Sequence, residues 1–181
     1  MSGNFICLSK LLPAAFIFTI FVISATGQKY VSPDSAETTA IDAAGLKSLI
    51  KSPEKKQPIL INFWATWCGP CKVEFPELVK IDADYRAQGL RFIIVSIDNL
   101  GAMDSIVADF LKSYESTMPS YLLDLSSRRQ ITKAIRQIAP TAKDGFPLTL
   151  LYNKNGKLVY QKNGVIDAKM LRTKIEKILK K

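Results

Sequence analysis

Apolar positions recur along this chain at several spacings, and each spacing predicts a different element. Leu11 to Ala25 is an apolar run broken only by Thr19 and Ser24. Its length of about 15 residues falls short of the ~20 that cross a bilayer as a helix. It fits the core of a secretory signal, with Ala25-Thr26-Gly27 supplying small residues for cleavage after Gly27. The alternative is an uncleaved anchor running through residues 11–25. Either way, residues 1–27 place the remainder outside the cytoplasm, in the periplasm or its equivalent. Residues 28–40, rich in Ser, Thr, Asp, Glu and Ala, read as a linker, and 41–181 as one folded domain.

Within that domain, Asp42 caps a helix to about Ile50, stopped by Ser52-Pro53. The short apolar run from Pro58 to Ala65 predicts a buried central strand. From Cys68 to Ala87 the spacing turns helical through Phe75, Leu78, Val79 and Ile81, and Gly89 ends it. Arg91 to Ile97 is a β-branched run and a second strand. Gly101 to Tyr114 reads as a helix with Met103, Ile106, Val107, Phe110 and Leu111 on its apolar side. Tyr121-Leu122-Leu123 is a short strand, and Ser126 or Ser127 caps a helix to about Ile138. Leu148 to Tyr152 and Leu158 to Tyr160 flank Asn153-Lys154-Asn155-Gly156, a hairpin signal. A closing helix starts after Asp167. Strands alternating with helices, followed by an antiparallel hairpin, give an α/β fold with a mixed sheet.

Composition narrows the chemistry more than the fold. The 181 residues contain no histidine and three cysteines. Ser-His-Asp and Cys-His nucleophiles are excluded, as are zinc sites with imidazole or four thiolate ligands. No metal site and no cofactor is expected. The net charge of +9 implies general attraction to anions and no particular partner, and nucleic acid is not expected. The densest basic group, from Lys169 to Lys181, lies opposite Leu171, Ile175 and Ile178 and reads as a solvated helix face. Attraction to anionic lipid or to acidic partners stays open.

Cys7 precedes the apolar run and belongs to the export segment. The other two cysteines stand in Trp67-Cys68-Gly69-Pro70-Cys71-Lys72, where a strand passes into a helix. Cysteines three apart at a helix start face one side and can close a small ring. Cys68 meets the unpaired N–H groups and the positive end of the helix dipole, which favour a thiolate and make it the nucleophile. Cys71 lies deeper and suits the resolving role. Pro70 sits in the first turn, where no hydrogen bond is lost. The competing readings are an inert staple or half of a metal site. A ring this small stabilises little, and no other cysteine or histidine in the domain completes a metal shell.

The run Asn62-Phe63-Trp64-Ala65-Thr66-Trp67-Cys68-Gly69-Pro70-Cys71-Lys72 resembles the thioredoxin family, and most of all its exported TlpA/ResA-like branch. The resemblance reaches from about residue 57 to the C-terminus. It implies a thioredoxin-like fold with a central mixed sheet flanked by helices, and a helix-containing insertion between Asp98 and Ala139. It also implies a thiol–disulfide oxidoreductase with Cys68–Cys71 as the redox-active disulfide. Asn62 stands where cytoplasmic thioredoxins keep a buried Asp. Glu74 matches an acid that this branch carries after its motif, and can exchange a proton with Cys71; its alternative is an exposed helix charge near Lys72 or Lys80. Pro76 matches a proline that kinks the helix. Trp64 reads as core packing. Trp67, Gly69 and Pro70 read as substrate-contacting surface, and Phe146-Pro147 matches the family's cis-proline, where Phe146 can pair with an extended substrate. Phe146 is larger than the residue usual there. Residues 28–56 read as a linker and a helix, without the leading hairpin of the branch.

The same resemblance implies disulfide-bearing substrate proteins, an electron donor at the membrane for re-reduction, and a monomer. Gly69-Pro70 resembles the more reducing members, since strongly oxidising relatives often carry His between the cysteines. A net oxidase or isomerase, and a thioredoxin-fold binding module, are the alternatives. The approach to Cys68 does not match a peroxidase.

Overall fold

The computed structural model describes residues 37–51 and 57–180, all within one compact unit spanning 32–181. The expected signal or anchor of residues 1–27, most of the linker and the Ser52-Pro53 stop lie outside the described residues. Among the described residues no helix is long and apolar enough to cross a membrane.

Six strands form one sheet: β1 (Thr38–Ile41), β2 (Ile59–Trp64), β3 (Arg91–Ser96), β4 (Ser120–Leu123), β5 (Leu148–Tyr152) and β6 (Leu158–Asn163). Their spatial order is β1-β4-β3-β2-β5-β6. The pairs β1/β4, β4/β3 and β3/β2 are parallel, whereas β5 runs antiparallel to both β2 and β6. Every residue of β2 and β5 is buried. Covered on both faces, these strands have no polar face to show, which is why their sequences read as continuous apolar runs.

Five α-helices accompany the sheet: α1 (Ala43–Lys51), α2 (Gly69–Tyr85), α3 (Ala108–Ser113), α4 (Arg128–Arg136) and α5 (Ala168–Leu179). The expected caps are in place. Asp42 Oδ1 accepts from the Gly45 N–H at 2.7 Å, Ser127 Oγ from Gln130 at 3.3 Å and Asp167 Oδ1 from Met170 at 2.9 Å. Gly89, with φ at +96°, turns the chain after α2 in a conformation costly for other residues.

Two elements differ from expectation. β1 begins at Thr38, inside the segment read as linker, and pairs with β4 through the register Thr38↔Ser120 to Ile41↔Leu123. It is a four-residue edge strand, half-buried or exposed throughout, so its sequence lacks the apolar alternation that marks a strand. The helix expected from Gly101 is three differently wound pieces: a 3-10 turn (Leu100–Ala102), a π-helical segment (Met103–Val107) and α3. The wider π turn rotates the apolar face away from a 3.6-residue period. Ile106, placed on that face by the sequence, is 59% exposed.

Candidate active site

The end of β2 carries the chain from the core to the thiol pair. Trp64 is fully buried and stacks with Phe75 of α2 and Phe110 of α3, at centroid distances of 5.1 and 4.6 Å. Tyr114 closes the cluster against Phe75 and Phe110. The turn that follows is held from below. The Asp98 carboxylate accepts the Thr66 N–H at 3.0 Å and its hydroxyl at 2.8 Å. Ser96 Oγ in turn donates to Asp98 at 2.7 Å. Two residues later, the Cys68 N–H donates to the Ala65 carbonyl at 3.1 Å.

Cys68 is the N-cap of α2, in an extended conformation, and its sulfur accepts from the Cys71 N–H at 3.3 Å. Cys68 and Cys71 are joined as a disulfide with Cα atoms 5.2 Å apart. Cys68 is 5% exposed and Cys71 1%, so the first sulfur is the one nearer to solvent. Gly69 and Pro70 are exposed. Trp67 is 64% exposed, a broad apolar surface beside the sulfur.

Behind the pair, one helical turn beyond Cys71, Glu74 is 3% exposed. Its Oε1 accepts from Asn62 Nδ2 at 2.8 Å and its Oε2 from the Ile166 N–H at 2.9 Å. Burial pushes the Glu74 carboxyl above its usual range, outweighing these two donors, which favour the charged form. Asn62 also donates to Thr149 Oγ1 at 3.0 Å, while its own Oδ1 is buried without a hydrogen-bond partner among the described residues. Glu74 is therefore not the exposed helix charge of the alternative reading. Lys80 pairs with Glu77 instead, at 3.8 Å, and Lys72 is exposed.

Phe146-Pro147 is a cis peptide bond. Leu148 pairs with Phe63, so the cis bond lies at the same end of the sheet as the turn bearing Cys68. The Pro147 carbonyl accepts from the Gly164 N–H at 2.8 Å. Among the described residues no hydrogen bond occupies the Phe146 backbone. Gly145 before it has φ at +118°, a conformation that favours glycine.

A cysteine pair at a helix start, with an apolar rim and a buried carboxyl behind it, suits exchange between thiols and disulfides. Residues 27–179 match the Redoxin family. The chain belongs to that family. This redoxin is 30% identical to the thiol-disulfide oxidoreductase ResA of Bacillus subtilis over 161 residues, 88% of this chain and 83% of that protein. It is 27% identical to the sporulation thiol-disulfide oxidoreductase A of the same organism over 123 residues, covering 68% and 69% of the two chains. A thiol:disulfide interchange protein of the thioredoxin family from Chlorobium tepidum shares the fold at a TM-score of 0.57, with 18% identity over 81% of this chain and 99% of that one. The protein is a thiol–disulfide oxidoreductase with a thioredoxin-like fold.

Some of the residues that build this redoxin's site left no mark in the local sequence. Asp98 and Ser96 lie some thirty residues beyond Thr66, and only the pairing of Trp64 with Ser96 brings them together. Thr149 meets Asn62 for the same reason, one strand over. A buried polar residue inside an apolar strand is a signal in hindsight, and Asn62 and Thr149 both have that form.

Proposed function

We propose that this oxidoreductase works outside the cytoplasm as a reductase of disulfides in envelope proteins, through the Cys-Gly-Pro-Cys dithiol. In the reduced state the Cys68 thiolate attacks one sulfur of a substrate disulfide. That S–S bond breaks, a mixed disulfide forms, and the departing substrate sulfur takes up a proton. The Glu74 carboxylate takes the proton from the Cys71 thiol. The Cys71 thiolate then attacks the Cys68 sulfur and releases the second substrate thiol. Two electrons have passed to the substrate, and Cys68–Cys71 is left oxidised. An external dithiol donor at the membrane restores it. Trp67, Gly69 and Pro70 form the contact surface, and Phe146 pairs by its backbone with an extended substrate segment beside Pro147.

The observation that carries this reading is the buried Glu74 one turn behind Cys71, held by Asn62 and Ile166. Export rests on the apolar run at residues 11–25, whether cleaved after Gly27 or kept as an anchor, and the protein acts as a monomer. Two measurements test the proposal. Cys71→Ala expressed in the native host traps substrates on Cys68 as mixed disulfides, and envelope proteins are expected among them. The reduction potential of the wild-type pair is expected near the about −270 mV of reducing thioredoxins, and a value near the about −120 mV of strong oxidants replaces reduction with oxidation.

A further inference from the structure

We infer that the basic groove on α4 is an extension of the substrate site, and that it takes an acidic segment flanking the substrate's disulfide. This rests on the oxidoreductase reading above and names the class of substrate. Arg128, Arg129, Lys133 and Arg136 stand three to five residues apart along α4 or side by side, and with Thr132 and Asp144 they line a groove of about 510 Å³.

Local energetics account for only half of this arrangement: Lys133 and Arg136 lie in the last turn of α4 and suit the negative end of its dipole. Arg128 and Arg129 occupy the first turn of α4, which holds no acidic residue, so they oppose the positive end of the helix dipole. Arg129 and Lys133 are like charges one turn apart, which also disfavours the helix. Of these four cations only Arg136 finds a carboxylate among the described residues, Asp144 at 3.2 Å, and Arg128, Arg129 and Lys133 find none. On α5 the one arginine is neutralised internally, Arg172 being bonded to both Glu77 and Asp84, while Lys169, Lys174 and Lys177 are exposed and make no ion pair among the described residues. Cations kept together against local preference fit an anion supplied from outside.

The groove's position says which anion. It shares Thr132, Arg136 and Asp144 with a small adjoining cavity walled by Gly145, Phe146 and Leu148. Arg136 ties the two together, its Nε donating to the Ala142 carbonyl at 3.3 Å. A substrate strand lying along the Phe146 backbone therefore runs toward the cations. The basic face is roughly 12 Å long at the helical rise, matching about four residues of extended peptide. A net charge spread over the whole surface attracts anions in general; this placement selects acidic side chains close to the reacting disulfide.

The test compares two disulfide peptides, identical except for Asp or Asn on both sides of the attacked cysteine, reduced by the reduced full chain. The Asp peptide is expected to show kcat/KM about tenfold higher at low salt, a gap that narrows to about twofold at high salt. Arg128→Gln/Arg129→Gln/Lys133→Gln brings the ratio close to one. Lys169→Gln/Lys174→Gln/Lys177→Gln removes the same charge from α5 and leaves the ratio intact. Equal rates for the two peptides overturn the inference while the reductase reading stands, and so does loss of the ratio in the α5 variant. Equal rates combined with α4-dependent sedimentation on anionic phospholipid vesicles assign the groove to a membrane surface instead. If neither peptide is reduced, the reductase reading falls and the inference falls with it.

Discussion

The two sides of the thiol pair are built by opposite rules. On the inner side, Asn62, Glu74 and Thr149 are buried, with Asn62 donating to both of the others, and Trp64, Phe75 and Phe110 pack against one another. Each group there has several neighbours, so a change is felt in stability and proton affinity at once. On the outer side, Trp67 is exposed, the Phe146 backbone makes no hydrogen bond among the described residues, and the α4 cations line an open groove. Little of the fold depends on these groups. In the proposed function the contrast separates two properties of an oxidoreductase: the inner side sets how the sulfurs react, and the outer side sets what they react with.

Three substitutions test that division. The largest effect is expected from Phe75→Ala, which removes the centre of the aromatic cluster and leaves a cavity beside α2. A loss of about 3–5 kcal/mol in unfolding free energy is expected from urea denaturation. A loss below about 1 kcal/mol shows the inner side to be far more adaptable than its packing implies.

Glu74→Gln is next, and its effect depends on pH. Burial raises the folded-state pKa of Glu74 above the ordinary 4.5, so the native state binds this proton more tightly than the unfolded chain. The stability from the neutral form is fully present below that ordinary value and is lost as pH rises through the raised one. Gln carries no charge to bury, and its amide has an acceptor waiting in the unpartnered Asn62 Oδ1 once that side chain turns over. The variant is expected to match the native protein near pH 4 and exceed it in stability near pH 8. Its mixed disulfides are expected to resolve more slowly. A stability difference that does not change with pH removes the buried carboxylate from the explanation.

Trp67→Ser is expected to be the mildest for the fold, changing stability by no more than about 0.5 kcal/mol because the ring is exposed. Its effect belongs in KM for protein substrates, with kcat for a small disulfide unchanged. A large loss of stability here breaks the division between the two sides.

Much of this was legible along the chain, and the physical reasons are local. β2, β3 and β5 announce themselves because strands covered on both faces must be apolar throughout. Asp42, Ser127 and Asp167 mark helix starts because a free N–H needs an acceptor within three residues. β1 was hidden as a polar edge strand whose only evidence is its partner. The π turn at Met103–Val107 was hidden because it changes the period on which helical reading depends. Glu74 had two open readings, since a residue three after Cys71 faces inward or outward according to what packs over it.

The sequence alone determined the reactive chemistry: two cysteines at a helix start, with no histidine anywhere to assist them. Backbone dipoles and short spacing act within a few residues, so that chemistry is written in one motif. Tertiary structure decided the rest. It buried Glu74 under Ile166, set Asp98 beneath Thr66, and carried the α4 cations to the Phe146 loop. Burial and long-range hydrogen bonds depend on strands distant in sequence lying side by side, and no local pattern encodes that neighbourhood.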